Sequence, residues 1–232
     1  MSGRAASTVE APIANSAALR QKLALVSGAS TERFWTRPDL REIFPEFLFL
    51  THCIIRASVP LMAAAARVSR ERGGQEDIYP RLGEYLSHHV TEEASHDEWL
   101  LDDMEVLGFE RDEVLQRVPP AAVAELVGAQ YYWLHHADPV ALLGYIAVLE
   151  GDPPREDELE AAAVRTHLPH DAFRTFISHA KLDPNHKQEL DDFIDSLSLT
   201  QQQQALLAIS AITTVDGLRK AFAALSAQGR TP

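Results

Sequence analysis

The chain has 232 residues, 46% hydrophobic and 24% charged, which suits one substantial globular core. Its formal net charge of −13 argues against a dedicated nucleic-acid surface, which needs clustered Lys and Arg. The single cysteine, Cys53, excludes an intramolecular disulfide and a thiolate cluster, so any metal must be held by nitrogen and oxygen.

Met1 to Asn15 lacks the long apolar stretch of a signal peptide, and no run approaches ~18 uninterrupted apolar residues. A soluble cytoplasmic protein with no membrane partner is therefore expected. Residues 1–15, rich in Ala, Ser and Pro, are expected to form a disordered tail, and 16–228 a single helical metal-binding domain.

Helical periodicity dominates, and no alternating strand pattern stands out. A short helix is expected over Ser16 to Val26, then a loop from Gly28 to Pro38. An apolar helix follows from Phe44 to Arg70, bent at Pro60 and closed by Arg72-Gly73-Gly74. The next runs from Ile78 to Leu107 and stops at Gly108. Its apolar stripe reads Leu82, Leu86, His89, Glu93, His96, Leu100, Met104, Leu107. Pro119-Pro120 opens a helix to His136, and Asp138-Pro139 opens another that ends at Glu150-Gly151. Helices are then expected over Glu156 to Thr166, Asp171 to Leu182, Asn185 to Leu197 (with Pro184 at the joint) and Gln201 to Ala227.

Two segments share one pattern. His89, Glu93 and His96 repeat the spacing of His179, Asp183 and His186: His, three residues, an acid, two residues, His. On a helix, offsets of four and seven return to within about 40° of the starting direction, so each triplet aims at one point. Composition alone predicts roughly 0.06 such patterns, so two in one chain point to a purpose. The first triplet lies on the core-facing stripe, where a carboxylate and two imidazoles without partners would cost several kcal/mol. Metal coordination offsets that cost, and Glu-x-x-His is the arrangement of di-iron helical bundles. Glu150 is a third element: its carboxylate ends a helix, where the dipole opposes it and a cation would relieve it. His52, in an apolar helix, is a further candidate ligand, with a hydrogen-bonded core histidine as the alternative. Asp103, ten residues beyond Glu93, is a candidate to support the ligands. Tyr131, Tyr132, Trp133 and Tyr145 are candidate pocket residues.

The two triplets, His89, Glu93, His96 and His179, Asp183, His186, with the stretch Leu142 to Glu150, resemble the heme-oxygenase-like di-iron oxidases and oxygenases, iron-containing redox enzymes related to the TenA and PqqC proteins. The similarity spans Phe44 to Ala227. The resemblance implies an all-α bundle of seven to eight helices in which Glu93, His96, Glu150, His179, Asp183 and His186 bind two irons, cycling between Fe(II) and Fe(III). His89 and His52 complete the candidate metal set, and manganese is the alternative metal. His89 stands where some relatives have a carboxylate, and no acid occupies the early core helix at an obvious position.

The function expected on this basis is oxidation of a small amino-acid-like or fatty-acid-like substrate by dioxygen, with an external electron donor and a homodimer both compatible. One rival is a metal-free enzyme of the TenA or PqqC kind, for which Cys53 is the only thiol. Another is a non-catalytic helical protein or a heme binder using His52.

Overall fold

Residues 13–27, 34–74 and 78–228 are described by the computed structural model, and every regular element among them is helical. Helix α1 covers Asn15–Ser27 and α2 covers Leu40–Arg72. Then come α3 (Ile78–Glu92), α4 (His96–Val106), α5 (Arg111–Gln116), α6 (Ala121–His136) and α7 (Ala141–Leu149). Helix α8 (Glu156–Thr166), a 3-10 turn at His170–Phe173, α9 (Arg174–Ser196) and α10 (Gln201–Gln228) complete the order. The tail expected over residues 1–15 lies largely outside the described residues, and α1 already begins at Asn15.

Helix α2 is the axis of the bundle. By length and composition it could cross a bilayer, yet it is packed along its length by α3, α4 and α6. Leu40, Phe44, Leu48, Leu50 and Leu61 on it are almost wholly buried. Each such side chain contributes about 1.5–3 kcal/mol by leaving water. The helix carries Pro45 and Pro60 inside it rather than ending at either. On the other side, α7 packs against α10, and α1 lies across α9 and α10. The approach of α7 to α10 is close because residue 144 is glycine: a Cβ there would stand 2.3 Å from the Leu207 carbonyl oxygen.

Two expectations are corrected. The single helix from Ile78 to Leu107 is two helices, because the chain turns at Glu93–Ser95, with Ser95 in the left-handed region at φ 71°. A non-glycine residue held there is strained by roughly 1–2 kcal/mol, so packing on either side must enforce the turn. Conversely, the joint expected at Pro184 does not exist, because α9 runs unbroken from Arg174 to Ser196. A proline inside a helix costs about 3 kcal/mol. Here the buried face of Asp183, His186, Leu190 and Ile194 and anchors at both ends of the helix offset it. The short helix α5 was not anticipated.

Candidate metal centre

Four elements converge on one buried cluster. Helix α3 brings His89 at its C-terminal end, the turn after it brings Glu93, and α4 opens with His96. Helix α7 delivers Glu150 as its terminal cap, and α9 presents His179, Asp183 and His186 on successive turns of one face. The break at Glu93–Ser95 changes how the first triplet works. Glu93 is not on a continuing helical face; the turn lets its Oε2 reach His96 Nδ1 at 2.8 Å. Its other oxygen, Oε1, lies 3.6 Å from His186 Nδ1.

Across the cluster, His89 Nε2 and Glu150 Oε1 are 2.6 Å apart, and His179 Nδ1 and Asp183 Oδ1 are 3.7 Å apart. The rings of His96 and His179 have centroids 5.0 Å apart, and those of His89 and His186 5.5 Å. Two groups of donor atoms result, each drawn within 4.8 Å: Glu93, His96 and His179 in one, His89, Glu93 and Glu150 in the other. Glu93 belongs to both. Its carboxylate is the one group that the two donor sets share.

The electrostatics of this donor set are frustrated without positive charge. Burial, followed by the charges of Glu150 and Glu93, pushes the Asp183 carboxyl up to about 8. Burial pushes His179 down to about 4. Burial would also lower His89, but its hydrogen bond to Glu150 and the charges of Glu150 and Glu93 outweigh that and raise it to about 9. For Glu93 burial opposes ionisation, yet the hydrogen bond and charge of His96 hold its carboxyl below the usual range. Glu150 Oε2, His179 Nε2 and His186 Nδ1 are buried without a hydrogen-bond partner. Such atoms cost about 1–3 kcal/mol each. A divalent cation meets both demands, since it offers bonds to the orphaned atoms and charge to the carboxylates. The residues present therefore fit a pair of metal ions with nitrogen and oxygen ligands.

His52 stands apart from both donor groups. It is 1% exposed, burial lowers its pKa, and neither ring nitrogen has a partner. The hydrogen bond and ion pair of Asp103 go to Thr175 and Arg174. Its Oδ2 accepts the Thr175 backbone N–H at 3.0 Å, and burial raises its carboxyl to about 6. It thus ties α4 to the first turn of α9. Tyr85, one turn before His89, stacks on that imidazole and on Phe193. The offset of four from His89 was a signal available in the sequence.

A cavity of about 510 Å³ opens onto Glu93, Glu150, His179 and Asp183. That size suits a small organic ligand. Its walls are mostly apolar, with Phe34, Trp35, Phe47, Phe176 and Phe222 at one part and Ile54, Ile55 and Val59 at another. Of the four aromatic residues expected near a pocket, Tyr145 lines it, and its hydroxyl donates to Ser58 Oγ, 2.8 Å away, which itself donates to the Ile54 carbonyl. Tyr131, Tyr132 and Trp133 do not line it, and Tyr132 is exposed.

The all-helical architecture is a heme-oxygenase-like fold, as superposition on solved structures shows. A crystal structure of a domain of unknown function with that fold, from Shewanella denitrificans, superposes with a TM-score of 0.73. It shares 18% identity, over 92% of this chain and 89% of that one. A TenA homologue from Pseudomonas syringae pv. tomato superposes at 0.68 with 13% identity, covering 97% of this chain and 98% of that one. Residues 48–217 match the family of iron-containing redox enzymes, and the chain belongs to that family. No curated protein matches its sequence.

Proposed function

We propose that this protein is a non-heme di-iron enzyme that uses dioxygen to oxidise a small organic substrate. The observation that carries the reading is Glu93, shared by two buried donor groups. His96 and His179 complete one group, and His89 and Glu150 the other. Asp183 and His186 flank them from α9, and manganese is the alternative occupant of the same ligands. Two ferrous ions, when bound, supply the electrons that activate dioxygen.

What the chain itself does can be read from its side chains. Tyr85 stacks on His89 and Phe193 and covers that imidazole, and the aromatic walls offer the cavity an apolar surface. Asp183, with its raised affinity for a proton, is placed to hold one at the cavity wall and release it when a cation binds. Trp99 is half-buried, with its ring 4.0 Å from His96 and 6.0 Å from His179, which suits a contact between the centre and an external electron donor.

The cavity favours an extended apolar substrate, fatty-acid-like rather than a small polar amino acid. Phe47, Thr51, Ile55, Ser58, Val59 and Met62 line it along one face of α2. Fifteen residues separate the first and last, which on a helix is about 22 Å. Arg219 and Asp152, both exposed, stand at its rim. The metal-free rival depends on Cys53, whose thiol is pushed up by burial, away from the reactive thiolate, and which does not line the cavity.

Anaerobic loading with ferrous iron, followed by metal analysis and dioxygen uptake, tests the reading. About two irons per chain with rapid dioxygen consumption is the expected result. A protein that binds no iron under these conditions sinks it.

A further inference from the structure

The metal centre is assembled from helices that are distant in sequence, so something must set their spacing. Helix α7 brings Glu150, and α9 brings His179, Asp183 and His186. The direct packing between these two helices is sparse compared with that of α7 against α10. A third element crosses both. Arg20, on α1, directs its Nε to Asp191 of α9, at 3.1 and 3.2 Å from the two carboxylate oxygens, and its Nη2 lies 2.9 Å from Oδ1. The remaining arm of the same guanidinium, Nη1, donates to the Ala147 carbonyl of α7 at 2.7 Å.

These contacts sit close to the ligands. Asp191 follows His186 by little more than one turn, and Ala147 precedes Glu150 by three residues. The side chains of Arg20 and Asp191 are only 21% and 20% exposed, so the pair is poorly screened by solvent. Room for the guanidinium exists because residue 151, adjacent to Glu150, is glycine: a Cβ there would lie 2.7 Å from Nη1. One turn earlier on α1, Ser16 fastens the same helix to α9, its N–H and hydroxyl each 2.7 Å from Asp195.

We propose that Arg20 is a positioning residue of the metal centre: it bridges α9 and α7 and so fixes Glu150 relative to Asp183 and His186. This rests on the di-metal reading above. Helix α1 lies outside the span 48–217 of the family match, while Ala147 and Asp191 lie within it. The planar fork of arginine suits the role, since it reaches two acceptors in fixed directions. A lysine ammonium in its place would keep charge beside Asp191 but lose the fixed second arm to Ala147.

The test is a titration of the metal-free protein with Co(II) alone, followed by its visible absorption, for wild type, Arg20→Lys and Arg20→Met. Thermal unfolding of each metal-free protein is recorded in parallel. Wild type should take up two equivalents. In both variants the second equivalent should bind about 10–100-fold more weakly, with the first little changed, because outer residues that orient ligands act on that scale. Arg20→Lys keeps the ion pair and is expected to unfold near the wild-type temperature, so its loss of the second metal isolates the bridge. Arg20→Lys with wild-type affinity for both equivalents overturns the proposal. So does equal weakening of both, which would mark Arg20 as a contact of general stability. Wild type that binds neither Co(II) nor Fe(II) overturns the di-metal reading itself, a result distinct from either.

Discussion

His89 Nε2 lies 2.6 Å from Glu150 Oε1, although 61 residues separate them in the chain. That contact joins the end of α3 to the end of α7 and leaves Glu150 Oε2 buried without a partner. In the metal-free protein the histidine supplies the positive charge that the carboxylate needs, and a bound cation would take over that role. Metal and proton thus compete for the same pair.

The sharing of Glu93 makes metal content the most direct readout of the centre. Glu93→Ala removes an oxygen donor from both groups, so metal per folded chain should fall close to zero. Glu150→Ala touches one group only and should leave about one ion, held by Glu93, His96 and His179. Metal analysis after gel filtration separates the two patterns, and equal loss in both variants would contradict the shared role.

The pH dependence follows from the groups that are most displaced. Asp183 is raised from 3.8 to about 8 and His89 from 6.5 to about 9, so near pH 7 the folded metal-free chain holds protons that the unfolded chain has shed or is shedding. Their contribution to stability is present at low pH and is lost as pH rises through about 8 and 9. His179, lowered to about 4, acts in the opposite sense between 4 and 6.5, where rising pH favours the folded state. Metal-free protein should therefore lose stability from pH 6.5 to 9 while metal affinity increases. Calorimetric titration at pH 7 in buffers of different ionisation enthalpy should detect proton release on metal binding; heats independent of buffer would refute it.

Filling the cavity should separate chemistry from metal binding. Val59 lines the apolar wall on α2 without contributing a ligand. Val59→Trp should retain full metal content and lose binding of long-chain fatty acids, read as lost displacement of an apolar fluorescent probe. Unchanged probe binding would place the substrate elsewhere.

Gly144 is where two helices meet. The Cβ of Gly144→Ala would be 2.3 Å from the Leu207 carbonyl oxygen and 2.9 Å from the Ala211 nitrogen, both backbone atoms that cannot swing away. Overpacking of this kind costs about 1–3 kcal/mol, so the variant should melt several degrees lower, with metal bound less tightly because α7 carries Glu150. A melting temperature equal to that of wild type would show that α7 and α10 slide apart freely.

The sequence alone carried the helical class and the spacing of His179, Asp183 and His186, which one continuous helix presents as its periodicity requires, whereas the first triplet comes together only through a turn. Leu82, Leu86, Leu100 and Met104 are as buried as their stripe requires. It did not carry the turn at Glu93–Ser95: nothing local in a serine announces a left-handed backbone that is enforced from outside. Nor did it show that α9 passes through Pro184, since local propensity argues for a break and only packing and the anchored ends overrule it. His52 shows the same limit from the other side. Its place on an apolar helix was evident, but whether it faces the donors depends on how α2 is rotated among its neighbours. Arg20 had no signal at all, for one arginine on a surface helix looks like any other until the tertiary structure sets Asp191 and Ala147 on either side of it.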